Sequence, residues 1–355
     1  MYSLYKNNRG NPLFSVYDQL LPVVNLNQNF DSLLVPKNHV SRQKSDNYYI
    51  NQNYLLRAHT TAHQTELIQM GLDNFLVVGD VFRRDSIDSS HYPVFHQVDA
   101  VRLCSKHDVF GKNITSEHSL FEEREITEDH QSCHSDAAVN FLTQDLKSCL
   151  ISLATSVFGK DVEWRWVSAS FPFTHPSWEL EIKLCDKWTE ILGCGIIKQD
   201  ILKNSGVREK VGWAFGLGLE RWAMKLYNIP DIRVFWSTDP RFHEQFDFED
   251  PSTPVTFQSY SKQPPCINDI SFWLPEEGKY CSEDFYDLVR SIGDDLVEKV
   301  ELIDDFLHPK KKTRSHCYRI TYRSWQKALL QEEANVVHQK IAEAAQNSFG
   351  VQLRC

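Results

Sequence analysis

The sequence predicts an α+β fold: an antiparallel-sheet domain followed by a smaller C-terminal domain of order βαββαβ. Three observations carry that expectation. Two short β-branched runs, FLVVGDVF and YPVFHQVDAVRL, flank a polar loop and read as antiparallel strands. Residues from about 134 to 158 repeat apolar side chains at helical spacing. From about residue 266, strand and helix patterns alternate to the end.

Taken in order, residues 1 to about 40 carry Pro12, Pro22 and Pro36 and read as extended segments. The two strands around the polar loop follow. In the long helix Val139, Leu142, Leu146, Leu150 and Leu153 share one face, and Gly159 ends it. WRWVSASFPFTHPSWELEIKL and WTEILGCGII read as two strand-like runs, broken by Pro172, Pro176 and glycines. GWAFGLGLERWAMKLYNIP reads as a glycine-rich lead-in to a helix that stops at Pro230.

Residues 240–265 are polar and proline-bearing, which predicts a domain at 1–240, a linker at 241–265 and a second domain at 266–355. In that second domain INDISFWL alternates with Ile270, Phe272 and Leu274 on one face. Ser282 is expected to cap a helix with Phe285, Leu288, Val289 and Ile292 inward. VEKVELIDDF and CYRITYR read as strands, the latter with Tyr318, Ile320 and Tyr322 opposite Arg319, Thr321 and Arg323. A last helix carries the stripe Leu330, Ala334, Val337, Ile341, Ala345 and Phe349, and VQL closes as a strand. This is the element order of a ferredoxin-like domain.

Composition bounds the function. With 355 residues, 41% hydrophobic and 24% charged, the chain has the make-up of a soluble globular protein that buries a sizeable core. No apolar run approaches the roughly 18 residues of a membrane span, and MYSLYKNNRGNPLF lacks the apolar core of a secretory signal, so no membrane partner is expected. Nine cysteines without CxxC pairs fit reduced thiols rather than a disulfide framework. A formal charge of -10 excludes a surface coated for nucleic acid, so any such role falls to a local patch. The clearest patch is HPKKKTRSHCYRITYR, which holds Lys310, Lys311, Lys312, Arg314, Arg319 and Arg323 without an acid among them. A solvated charged loop is its plain alternative.

Four segments bear chemistry. FRRDSIDSSHYPVFHQVD places Arg83 and Arg84 on opposite faces of a strand, so one suits a phosphate while the other braces the structure; either could instead pair with Asp80, Asp85 or Asp88. GLGLER sets Arg221 near a helix start, where anions are favoured, although a packing glycine pair with a surface arginine reads equally well. LLRAHTTAHQ gathers enough donors and acceptors for an amino-acid head group, or forms an exposed helix start capped by Thr60 or Thr61. Phe171 and Phe173, two apart, are expected on one strand face, where they clasp an aromatic ligand or fill a core.

In conjunction and in this order, the segments resemble the class II aminoacyl-tRNA synthetases, in their single-chain, mitochondrial-type phenylalanine branch. YDQLLPVV with NFDSLLVP stands for the first motif, VFRRDSIDSSHYPVFHQVD for the second, and GWAFGLGLERWAM for the third, with FPFTHPSWELEI and EILGCG between. The likeness covers nearly the whole chain, its tail resembling the family's ferredoxin-fold anticodon-binding domain.

The resemblance implies a class II catalytic domain and two catalytic arginines, Arg83 on the α-phosphate of ATP and the attacking carboxylate, Arg221 on the γ-phosphate. His91, flanked by Ser90 and Tyr92, would contact the nucleotide. His59, Thr61, Ala62, His63 and Gln64 would line the amino-acid site. Gln97, Val98, Asp99 and Glu190 would surround the ammonium group and nearby polar atoms. Phe171, Phe173, Ala214 and Phe215 would form the side-chain pocket, with Ala214 setting its depth. Implied with them are ATP, Mg2+, phenylalanine, tRNA(Phe) bound through the basic tail, a monomer, and the mitochondrial matrix. The amino acid's carboxylate attacks the α-phosphorus, pyrophosphate leaves, and the 2′-hydroxyl at the tRNA 3′ end takes the aminoacyl group.

The chain departs from the pattern in places. Asp99 stands where the family usually has glutamate, and Thr61 where serine is usual. His175 follows Thr174 where bacterial relatives carry a magnesium-linked glutamate, leaving Glu179 and Glu181 as possible substitutes and the metal ligands unassigned. The chain also begins where relatives are well under way, without a visible transit peptide, which suggests a truncated start. Rival readings are a synthetase-like enzyme with another substrate, a non-catalytic synthetase-like RNA-binding or regulatory protein, and a hydrolase with His59, His63, His91 and His96 on a metal. No HExxH spacing supports the last.

Overall fold

The computed structural model describes residues 5–6, 9–111, 114–184, 187–250, 253–258, 263–275, 280–310, 312–324 and 327–354. Among these the strands are β1 (Ser15–Tyr17), β2 (Val23–Asn25), β3 (Tyr54–Leu56), β4 (Asn74–Phe82), β5 (Val94–Cys104), β6 (Trp164–Ala169), β7 (Thr174–Leu184), β8 (Lys187–Ile197) and β9 (Val211–Gly218). The C-terminal part adds β10 (Cys266–Trp273), β11 (Val297–Leu307), β12 (Arg314–Tyr322) and β13 (Gln352–Leu353). Contacts divide the chain into two compact units: residues 1–82 with 94–222, and residues 83–93 with 223–355.

The first unit is built on a seven-stranded sheet of order β1-β4-β5-β9-β8-β7-β6, antiparallel except where β1 joins β4. Strand alternation gives this sheet two unlike faces. One face presents Leu76, Ala100, Phe215 and Cys194 to Leu142, Leu146 and Leu150 of the helix Asp136–Phe158, forming the main core. Ser135 caps that helix by accepting from the Ala138 N–H, and Gly159, at φ 96°, takes the left-handed conformation that ends it. Asp145 bolts helix to sheet: it accepts 2.8 Å bonds from Arg102 and a 2.6 Å bond from Trp213 Nε1.

Two expectations change here. The glycine-rich GWAFGLG is not merely a lead-in but the strand β9, paired on both sides by β5 and β8. The region 164–197 forms three strands rather than two, and Phe171 to Phe173 fall in the connection between β6 and β7 rather than within a strand. Pro172 lies in that connection, consistent with its lack of an N–H for a sheet ladder.

The second unit contains a four-stranded sheet of order β11-β12-β10-β13 with the helices Ser282–Gly293 and Gln331–Phe349. Phe272, Phe285, Tyr318, Ile320, Tyr322, Ile341 and Ala345 fill its core. Ser282 does not cap its helix as expected. Cys281 occupies that position, and Ser282 Oγ instead accepts a 2.9 Å bond from the buried Tyr318 hydroxyl. Leu330 likewise leaves the apolar stripe and is exposed. Residues expected to form the end of the first domain and the linker also group with this unit, because Ile229, Val234, Phe242 and Phe257 make a cluster of their own. The segment 83–93 joins them through Ile87, which is buried in the same core as Phe272 and whose carbonyl accepts from Val300 N–H at 3.1 Å.

Candidate active site

The second face of the seven-stranded sheet keeps Phe75, Val77 and Val101 in an apolar cluster at one end but has small residues across its middle. Cross-strand registers place Val77, Asp99, Gly216, Gly193 and Glu179 in one row across β4, β5, β9, β8 and β7. The adjacent rows carry Gly79, Gln97 and Gly218 on one side, and Phe75, Val101, Ala214, Gly195 and Ser177 on the other. Five glycines and an alanine on one face leave the room that a bound molecule needs.

The same alternation corrects two expected positions. Phe215 lies between Ala214 and Gly216, so it points to the helix-packed face, where it belongs to the main core. Val98, between Gln97 and Asp99, packs against that core as well. Neither belongs to the cleared face.

Asp99 lies over Gly216, whose absent Cβ would otherwise stand 2.6 Å from Asp99 Oδ1 and 3.1 Å from Gln97 Nε2. The Thr61 hydroxyl donates to Asp99 Oδ2, with both side chains buried. Thr61 belongs to the tight turn Thr60–His63, for which His59 is the preceding residue, so neither threonine acts as a helix cap. Thr60 N–H donates to Gln97 Oε1 at 3.4 Å. The turn also concentrates buried polar atoms without a hydrogen-bond partner: Thr60 Oγ1, His63 Nδ1, Gln64 Nε2 and the neighbouring Asn29 Nδ2. Burying such atoms unmet costs free energy, and their gathering marks a place for a polar ligand.

Arg57, one of the donors the sequence gathers in LLRAHTTAHQ, is 3% exposed. It donates to Asp80 O at 2.6 Å and Leu20 O at 3.0 Å, and lies 3.0 Å from His63 Nε2. A guanidinium only donates, so His63 Nε2 accepts and the ring is neutral. Burial, with the Arg57 charge second, lowers His63 to about 4. Gly79 makes room for this arrangement, since a Cβ there would fall 2.1 Å from the Arg57 guanidinium. An RxxxxxH spacing carries no such signal by itself.

The paired arginines lie beyond the end of β4 rather than on opposite faces of a strand as expected. Burial pulls Arg84 down, but hydrogen bonds and charge from Asp284 and Asp287 outweigh it and raise the group, so Arg84 is the brace. Arg83 follows the end of β4 and donates its N–H to Pro93 O at 3.0 Å. In the same segment His91 Nδ1 lies 2.7 Å from Asp88, whose Oδ1 also accepts from Ser90 N–H and Oγ. Burial would raise Asp88, but these bonds hold it well below the usual carboxylate range. Tyr92 stacks on Trp236 at 4.2 Å.

Phe171 and Phe173 stack nearly parallel, with centroids 6.1 Å apart at 9°. Phe173 packs against the clusters containing Ala214 and Ala62, and its ring lies 6.3 Å from His59. Acids crowd nearby, and Glu181 pairs with Arg165 at 2.5 Å. Glu190 stands 3.4 Å from Arg221, and Glu179 is raised by burial first, then by Glu190 and Glu181, against the opposing charge of Arg221. Crowded carboxylates of this kind favour an added cation. Among the described residues no group of three or more His, Cys, Asp or Glu could hold a metal by itself.

The basic tail is less bare than its sequence suggests. Arg314 pairs with Asp305 at 2.5 Å, Arg319 with Asp269 at 2.8 Å and Arg323 with Glu298 at 2.9 Å. Lys310 and Lys312 lie in the turn between β11 and β12, and Lys311 lies outside the described residues.

Comparison with known proteins gives two family matches, which part between residues 246 and 261. A family model described as tRNA synthetases class II core domain (F) matches residues 19–121 and 130–246, and one described as ferredoxin-fold anticodon binding domain matches 261–354. The chain is 52% identical to the probable phenylalanine–tRNA ligase, mitochondrial, of Drosophila melanogaster, covering 99% of this chain and 82% of that protein. It is 54% identical to the phenylalanine–tRNA ligase, mitochondrial, of Mus musculus, covering 99% and 78%. It is 38% identical to the protein of the same description in Saccharomyces cerevisiae, covering 98% and 85%.

Proposed function

From the premise that the chain belongs to the phenylalanine–tRNA ligases of the class II aminoacyl-tRNA synthetase family, we propose that it joins phenylalanine to tRNA(Phe) at the expense of ATP, through a phenylalanyl adenylate. The single observation that supports this most is the cleared sheet face: glycine rows bordered by Asp99, Thr61 and the Phe171–Phe173 rings match an amino acid with a charged head and an aromatic end.

Asp99, held by the Thr61 hydroxyl, accepts from the substrate ammonium group, and Gln97 adds a polar contact beside it. The benzyl group lies over Ala214 against the rings of Phe171 and Phe173. Arg83 neutralises the α-phosphate and orients the carboxylate that attacks it in line, while Arg221 draws on the departing pyrophosphate. No protein nucleophile is required, because positioning and charge neutralisation lower the barrier. Glu179 and Glu190 would hold a divalent ion, Mg2+ in this reading, which supplies further charge neutralisation on the phosphates. The 2′-hydroxyl at the tRNA 3′ end then attacks the acyl carbon of the adenylate, forming the ester as the acyl–phosphate bond breaks and AMP leaves with its phosphate. Lys310, Lys311, Lys312, Arg314, Arg319 and Arg323 contact tRNA phosphates, with the three arginines exchanging carboxylate partners for phosphate. The protein acts as a monomer in the mitochondrial matrix.

Amino-acid-dependent pyrophosphate exchange with ATP tests the proposal across phenylalanine, tyrosine and leucine. Phenylalanine should support exchange best, and Arg83→Ala should lower it about 100-fold or more. Tyrosine should follow, since a pocket without a hydroxyl partner rejects an added hydroxyl only modestly. Absence of exchange with all three would leave a binding protein instead.

A further inference from the structure

Resting on that reading of the site, we infer that Gly193 is a specificity-determining position: its bare backbone sets how far the Phe171 ring descends, and so the width of the slot offered to an unsubstituted aromatic side chain. A Cβ on Gly193 would lie 2.9 Å from Phe171 Cζ and 3.2 Å from Cε2. The ring therefore stands with its para end on this residue. Gly193 has no left-handed φ, so glycine is needed for space alone and an alanine meets no backbone strain.

The other glycines of the cleared face serve different neighbours. Gly195 abuts the Pro176 carbonyl and Thr174, Gly216 makes room for Asp99, and Gly79 makes room for Arg57. Gly193 alone among them lies under a ring of the proposed pocket. Phe173 is wedged between two apolar clusters, whereas Phe171 belongs to none of the described core clusters. Of the two parallel rings, Phe171 is the one whose height the glycine controls, and lifting it moves that wall of the slot.

Pyrophosphate exchange with Gly193→Ala, Phe171→Leu and the double variant tests the inference, with thermal unfolding of each as the folding control. Gly193→Ala should raise KM for phenylalanine about tenfold or more, a loss typical of a small overlap in a packed site, and leave KM for ATP within about twofold. In the Phe171→Leu background, adding the alanine should change KM for phenylalanine by less than about twofold, because the obstructed ring is gone. Phe171→Tyr approaches the contact from the other side, since its hydroxyl points at Gly193, and should raise KM for phenylalanine in the same way without altering the glycine. Unchanged KM in both Gly193→Ala and Phe171→Tyr, or equal penalties for the alanine in both backgrounds, would overturn the inference. Wild-type protein that supports no phenylalanine-dependent exchange would overturn the underlying reading instead.

Discussion

The two sheets treat their second face in opposite ways. In both, one face is packed with large apolar side chains against helices. The other face of the seven-stranded sheet has small residues across its middle, at Gly79, Gly193, Gly216 and Ala214, beside the buried Asp99 and the partly buried Gln97. The other face of the four-stranded sheet keeps long charged side chains in solution, with Arg319 joined to Asp269 across β10 and β12. A surface that swallows a small molecule is made by removing atoms, whereas one that meets a macromolecule is furnished with exchangeable charge. Free energy follows the same division, because buried polar contacts are worth far more than exposed ion pairs.

The contrast breaks if substitutions on the two faces cost the same. The largest effect is expected at Gly216→Ala, where the new methyl displaces Asp99 and Gln97 together. Catalytic efficiency for phenylalanine should fall by about 100-fold, equivalent to roughly 2.7 kcal/mol, in exchange kinetics, with KM for ATP nearly unchanged. A loss under threefold would mean that Asp99 does not need the space.

A comparable free-energy effect, read in stability rather than in kinetics, is expected from His63. Its folded value of about 4 lies below the ordinary 6.5, so the unfolded chain takes up a proton first as pH falls. Stability should therefore be complete above about pH 6.5 and decline towards pH 4, by on the order of 2–3 kcal/mol. Urea unfolding of wild type and His63→Gln at a series of pH values measures this. Equal pH slopes for the two proteins would rule out His63 as the source.

The smallest effect belongs to the charged sheet. Arg319→Ala should change stability by less than about 1 kcal/mol in denaturant melts, since its partner is exposed and screened by salt. Its effect should appear instead in tRNA charging, as a shallower dependence on salt. A stability loss as large as that of a core truncation would show that the two faces are not so different.

Much of this was legible in the sequence. The helix Asp136–Phe158 and the inward set Tyr318, Ile320 and Tyr322 followed from periodicity, which reports burial directly. Other features stayed hidden for definite reasons. Glycine has low strand propensity, so β9 read as a helix lead-in, and without a strand there was no alternation to separate Ala214 from Phe215. A glycine in a sequence also says nothing about what lies over it, which is why Gly193 and Gly79 carried no signal and Gly216 carried only that of a close approach or a packing pair. Ser282 had the right chemistry for a cap, but a buried tyrosine hydroxyl claimed it.

Arg57 has one more consequence. Its guanidinium is sealed among carbonyl oxygens and a neutral imidazole, close enough to Asp80 and Asp99 to feel both charges. Although burial lowers it, an arginine retains its proton throughout the range in which proteins stay folded. The Arg57 charge that faces Asp80 and Asp99 is thus constant across that range, and any change of charge near this turn with acidity has to come from its neighbours.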